Sequence, residues 1–183
     1  MLELWRSFGW SVPILLTAAT ALIMIIITNQ GRSRKRDLLP KVFTILSIGA
    51  VCLLTLTPLD GPNISEGQTN FEPFSNLKLN LHGAHIEVPI RNLLANVLLF
   101  VPFGFFAAWW MKRKKALWWK VTGAGALLSL IIEVCQYVFP LGRATDIDDW
   151  MMNTLGALVG VLLFQVGKSL YRIVKNNWRR GRP

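Results

Sequence analysis

Histidine and cysteine are scarce in this chain, with two of each in 183 residues. That excludes a Cys-rich zinc site and a disulfide scaffold. Acidic residues are also few, ten against twenty lysines and arginines, for a net charge of +10. Charged residues of both signs make up only 16% of the chain while 52% of it is hydrophobic, and the mean hydropathy is +0.41. Such a composition fits neither a disordered chain nor an ordinary soluble enzyme. Strong basicity often signals nucleic acid. Here, however, the basic residues fill the gaps between long apolar runs. That is the pattern of a polytopic membrane protein, whose excess charge serves topology and contact with anionic lipid, with no nucleic acid.

A membrane span needs about 20 mostly apolar residues. Five segments qualify, at about 10–28, 42–59, 92–110, 121–139 and 150–167. The expected fold is an all-α bundle of five transmembrane helices in a single membrane domain, 1–183. The first segment has neither a basic leader nor a small-residue cleavage site, and so reads as a retained helix rather than a signal peptide. Pro58 is the natural stop of the second segment.

The gaps alternate in charge. Between the first two segments lie Arg32, Arg34, Lys35, Arg36 and Lys41 against Asp37. After the third come Lys112, Arg113, Lys114, Lys115 and Lys120, and the tail holds Lys168, Arg172, Lys175, Arg179, Arg180 and Arg182. The intervening loops are acidic. One carries Asp60, Glu66, Glu72 and Glu87 against Lys78, the other Asp146, Asp148 and Asp149 against Arg143. Positively charged loops stay inside, so the N-terminus is expected outside and the C-terminus in the cytoplasm. All eight tryptophans fall at or near expected helix ends, as interfacial anchors do. The long loop at about 60–90 is polar at first and then semi-apolar, with Phe71, Pro73, Phe74, Leu77, Leu79 and Leu81. It is expected to lie in the interface or fold back over the bundle.

Polar residues are most telling where lipid makes them expensive. Glu133 lies well inside the fourth segment, and an ionised carboxylate there costs several kcal/mol unless it faces protein or water. Ser129, Gln136 and Tyr137 are its i−4, i+3 and i+4 neighbours and extend a polar stripe. The third segment opens with Arg91, Asn92 and Asn96, the two asparagines sharing a face. It then meets Pro102, expected to kink it, and Gly104. The fifth is entered through Arg143. Asp146, Asp149 and Asn153 follow at i, i+3 and i+7, and Thr145 or Asp146 is placed to cap the helix. Gly156 and Gly160 form a GxxxG step, and Gly123 and Gly125 are further points of close approach. With the expected topology these polar groups converge in the outer leaflet. They form either a pocket open to the outside or a structural hydrogen-bond lattice.

The same residues carry a family resemblance. The run from Asn92 through Asn96, Phe100 and Pro102 to Gly104 resembles the N-x-x-x-N-x-x-x-F-x-P-x-G run of the VanZ-like membrane proteins. Glu133 and Gln136, then Arg143, Asp146, Asp149, Asn153, Gly156 and Gly160, resemble that family's second block. Asn70 to Phe74 resembles its shorter N-x-x-P-F element. The resemblance implies the plasma membrane of a bacterium and an association with resistance to teicoplanin, a glycopeptide antibiotic. It implies no mechanism.

Three functions compete. In an enzyme acting on an amphiphilic or lipid-linked envelope molecule, Glu133 is the general acid or base. Asp146 and Asp149 orient a water or hold a divalent cation, and Arg143 takes a phosphate or carboxylate. Arg91, Asn92, Asn96, Gln136, Tyr137 and Asn153 then line the substrate site. No cofactor is called for beyond that cation. A non-catalytic binder would use the same pocket for the glycopeptide or an envelope precursor. A transporter would need polar groups continuing to the cytoplasmic side, and the inner halves of these segments offer few. Cys52 and Cys135 lie in apolar surroundings and suggest no nucleophile. His82 and His85 lack the H-E-x-x-H form of a metal site.

Overall fold

The computed structural model describes residues 32–56, 69–75, 87–112, 114–138 and 145–180. Among the described residues are four long helices: α1 (Arg32–Leu56), α2 (Glu87–Trp110), α3 (Leu117–Val138) and α4 (Ile147–Arg180). Two two-residue strands, β1 (Thr69–Asn70) and β2 (Thr145–Asp146), pair in parallel. Each helix is long and apolar enough to cross a membrane. The protein is therefore an all-α polytopic membrane protein. The segment expected at 10–28 lies outside the described residues, as do the histidines and most of the long loop.

All four helices overrun the expected spans. α1 begins at Arg32, ten residues before Val42, and passes through Pro40. The basic run read as a gap is helical, because Lys and Arg are good helix formers and only the apolar part needs lipid. α2 starts at Glu87 instead of Asn92, and α3 at Leu117 instead of Val121. α4 continues thirteen residues past Gly167, through the basic tail to Arg180. Hydropathy marks where a helix crosses lipid and does not mark where its backbone hydrogen bonds stop.

The helices are apolar on nearly all sides, so exposed Leu94, Leu98, Leu127, Leu130, Ile131, Leu162 and Leu163 form the lipid-facing surface. Close approach between helices comes from small residues instead. α2 and α4 make the most extensive pair. A Cβ added to Gly104 would strike the backbone of Ala157, one at Gly156 the carbonyl of Val97, and one at Gly160 the carbonyl of Val101. The GxxxG step of α4 therefore seats against α2. Gly104, expected to relax a proline kink, is half of that seam, and α2 remains one helix through Pro102. Gly125 of α3 meets the methyl of Ala157, whereas Gly123 faces open space. Phe100, Phe103, Ala107, Ala108, Val121, Ile132, Ala157, Val161 and Val51 fill the core. Phe43 stacks on Phe106 at 4.8 Å between ring centres and ties α1 to α2.

Candidate functional site

Glu133, Gln136 and Ser129 lie on the buried face of α3, at 6%, 8% and 0% exposure. Burial of three polar side chains in a lipid-embedded helix requires partners, and each finds one on another segment. The Glu133 carboxylate accepts the backbone N–H of Asp146 at 3.1 Å. Gln136 Nε2 donates to the carbonyl of Thr55, near the end of α1, at 2.9 Å. Ser129 Oγ accepts Nδ2 of Asn153, on α4, at 3.0 Å. Asn96 of α2 reaches the same end of the bundle and donates to the Asp149 carboxylate. Asp149 and Asp146 are the like charges that act on Glu133 through space. Three helices and the turn before α4 thus bring Asn96, Glu133, Asp146, Asp149 and Asn153 together.

The head of α4 is built from polar loop contacts. Asp146 caps the helix by accepting the N–H of Asp148 at 3.0 Å, which satisfies one of its first orphan donors. Its carboxylate also accepts Asn70 Nδ2, at 3.3 and 3.2 Å to the two oxygens. Asp148, 4% exposed, accepts the N–H of Phe74 at 2.8 and 3.0 Å to its two oxygens. Phe74 has φ 58°, a left-handed conformation costing a non-glycine residue roughly 1–3 kcal/mol. The charge-assisted bond to Asp148 offsets that strain. The described part of the long loop, 69–75, is thereby folded back onto the start of α4.

Other expected site residues lie elsewhere. Tyr137 is 66% exposed on the outside of α3. At ~3.6 residues per turn it falls about 80° round the helix from Ser129, beyond the buried arc that Gln136 still occupies. It does not join Glu133 in one buried stripe. Arg91 and Asn92 are exposed on the first turns of α2. Arg143 lies outside the described residues. The single stripe expected along α4 also omitted its most buried acid, Asp148. Nothing in the helical spacing distinguishes Asp148, but the N-x-x-P-F element ending at Phe74 does, since it supplies the donor. Among the described residues, no group of three or more His, Cys, Asp or Glu side chains is arranged to hold a metal ion. Of the two carboxylates considered for a divalent cation, that of Asp146 accepts Asn70 Nδ2 and that of Asp149 accepts Asn96 Nδ2.

The sequence profile of VanZ/LLP1 matches residues 15–168, most of the chain and all of this polar end. The chain belongs to the VanZ/LLP1 family. It is 34% identical over 74 residues to Protein VanZ of Enterococcus faecium, an alignment covering 40% of this chain and 44% of that protein. The chain thus spans less than half the length of that curated relative. No solved structure matches it.

Proposed function

We propose that this VanZ/LLP1 protein acts at the bacterial cell envelope on the polar headgroup of an amphiphilic or lipid-linked molecule, and through that activity contributes to glycopeptide resistance of the teicoplanin type. The observation that carries this reading is Glu133, buried in a spanning helix and bound to the Asp146 amide, at the end of the bundle where Asn96 binds the Asp149 carboxylate. A purely structural lattice has no need of neighbouring carboxylates in a lipid-embedded core, where repulsion and desolvation both oppose them.

In this reading Glu133 gives or takes the proton at the reacting headgroup atom. Asp149, oriented by Asn96, holds the headgroup or a water against it. Arg143 pairs with a phosphate or carboxylate of the substrate. Gln136 Oε1 and Asn153 Oδ1 are buried without a donor among the described residues. Each such atom costs about 1–3 kcal/mol, so a headgroup rich in hydroxyl or amine donors is favoured. The alternating loop charge supports placing this end in the outer leaflet, with anionic lipid at the basic, cytoplasmic end.

The same orphan acceptors support a second reading, a binder that holds the glycopeptide or an envelope precursor without converting it. Envelope lipids incubated with purified wild-type protein and with Glu133→Gln, compared by untargeted mass spectrometry, separate the two. A product formed only by the wild type supports the enzyme. Saturable binding without product supports the binder. Full activity in Glu133→Gln protein removes that carboxylate from the chemistry.

A further inference from the structure

α4 is longer than a membrane requires. Its 34 residues extend about 51 Å at ~1.5 Å each, against a hydrocarbon core of about 30 Å. Counted from Ile147 at the polar end, ~20 residues bring the helix to Val166. Gly167 and Lys168 follow. Nothing lies within 4 Å of a Cβ added at Gly167, so no packing contact requires a glycine there. A helix-interior glycine without a packing role lowers helix stability and eases local bending.

Beyond it the helix is two-sided. Lys168, Arg172, Lys175 and Arg179 recur at steps of four, three and four and form one strip. Leu170, Tyr171, Val174 and Trp178 form another, at 58%, 66%, 67% and 63% exposure. No acidic residue occurs between 168 and 180. Continued straight into water, the apolar strip would be left uncovered.

We propose that residues 168–180 form an interfacial amphipathic helix that turns at Gly167 onto the anionic surface of the leaflet α4 has just crossed. There Leu170, Val174 and the Tyr171 and Trp178 rings enter the acyl boundary, and the basic strip meets lipid phosphates. Three observations commit the surface to lipid. The strip is basic throughout, matching an anionic headgroup layer. Its aromatic residues are the types that settle at the membrane interface. It is also joined to a spanning helix, so the bilayer is already within reach. Lys41, Lys112, Lys114, Lys115 and Lys120 border the other helices at the same end of the bundle, so the footprint is larger than one helix. The inference rests on α4 alone and stands or falls separately from the polar site.

The test uses full-length protein carrying Cys52→Ala and Cys135→Ala, with a nitroxide attached at Val174→Cys or Lys175→Cys. It is reconstituted in phosphatidylcholine vesicles with or without phosphatidylglycerol. The expected result is an inversion between adjacent positions. The label at 174 collides mainly with oxygen and that at 175 mainly with an aqueous nickel chelate. The 174 label shifts toward water when phosphatidylglycerol is omitted, or when Arg172→Glu and Lys175→Glu reverse the strip. Aqueous behaviour at both positions overturns the proposal, as does equal burial at 174 in the two lipids. Spin–spin broadening at 174 that disappears on dilution with unlabelled protein also overturns it, by showing that a second copy covers the face.

Discussion

The two ends of α1 differ in what reaches them from other segments. Toward its basic start, Thr44 Oγ1 donates to the Pro40 carbonyl at 2.7 Å, and Ser47 Oγ to that of Phe43 at 2.6 Å. Both bonds close on the helix's own backbone. Such groups are satisfied before the helix meets any neighbour and specify none. Toward its other end, the Thr55 carbonyl receives Gln136 from α3. Around it Asn96, Ser129, Glu133 and Asn153 all bond across segments. Thr55 Oγ1 itself closes on the Val51 carbonyl at 2.8 Å, so local satisfaction runs the length of α1, and bonds between segments are added at this end.

The sharpest way to break this comparison is to separate α2 from α4 along the glycine seam that sets the height of Asn96 against Asp149. Gly104→Leu or Gly156→Leu drives a side chain into facing backbone. It is expected to cost about 3 kcal/mol or to prevent folding, read as loss of the melting transition in detergent. Gly123→Leu, which meets nothing within 4 Å, is expected within about 0.5 kcal/mol of wild type. Equal damage at both positions would show that the seam has no special role.

A middle-sized effect is expected where the loop is pinned. Asp148→Ala removes the acceptor of Phe74 and is expected to cost about 2 kcal/mol, seen as faster hydrogen exchange and proteolysis through 69–75. Unchanged protection there would mean that the Asn70–Asp146 contact suffices. The smallest effect measures the contrast itself. A double-mutant cycle of Ser129→Ala and Asn153→Ala is expected to give about 0.6 kcal/mol of coupling, while Thr44→Val gives a change near zero. A cycle without coupling would make the convergent end no different from the local one.

Much of this end was legible in the chain because helical spacing is arithmetic. Glu133 with Ser129 and Gln136, Asn96, a cap at Thr145 or Asp146, and the step of Gly156 and Gly160 all follow from period and cost, whereas the seam role of Gly104 does not. What the spacing does not contain is the rotation of each helix about its axis. That rotation decides that the arc of α3 closes before Tyr137, and that Asn92, one turn above Asn96, stays exposed. Asp148 was hidden for another reason. Its partner is a loop residue 74 positions away, and no local pattern reports so distant a donor. The overlong α1 and α4 were missed because charge hides helix from a hydropathy scan while leaving helix propensity intact.

Glu133 and Asn96 precede their partners, in β2 and α4, in the order of synthesis. The ribosome completes α2 and α3 before Asp146, Asp149 and Asn153 exist, so two expensive side chains must enter or approach the bilayer without them. The insertion machinery therefore handles a chain whose third and fourth apolar segments become comfortable only when the next one arrives. A nascent chain stopped just before Thr145 is expected to be retained at the translocon or degraded, although its own hydrophobicity suffices for insertion.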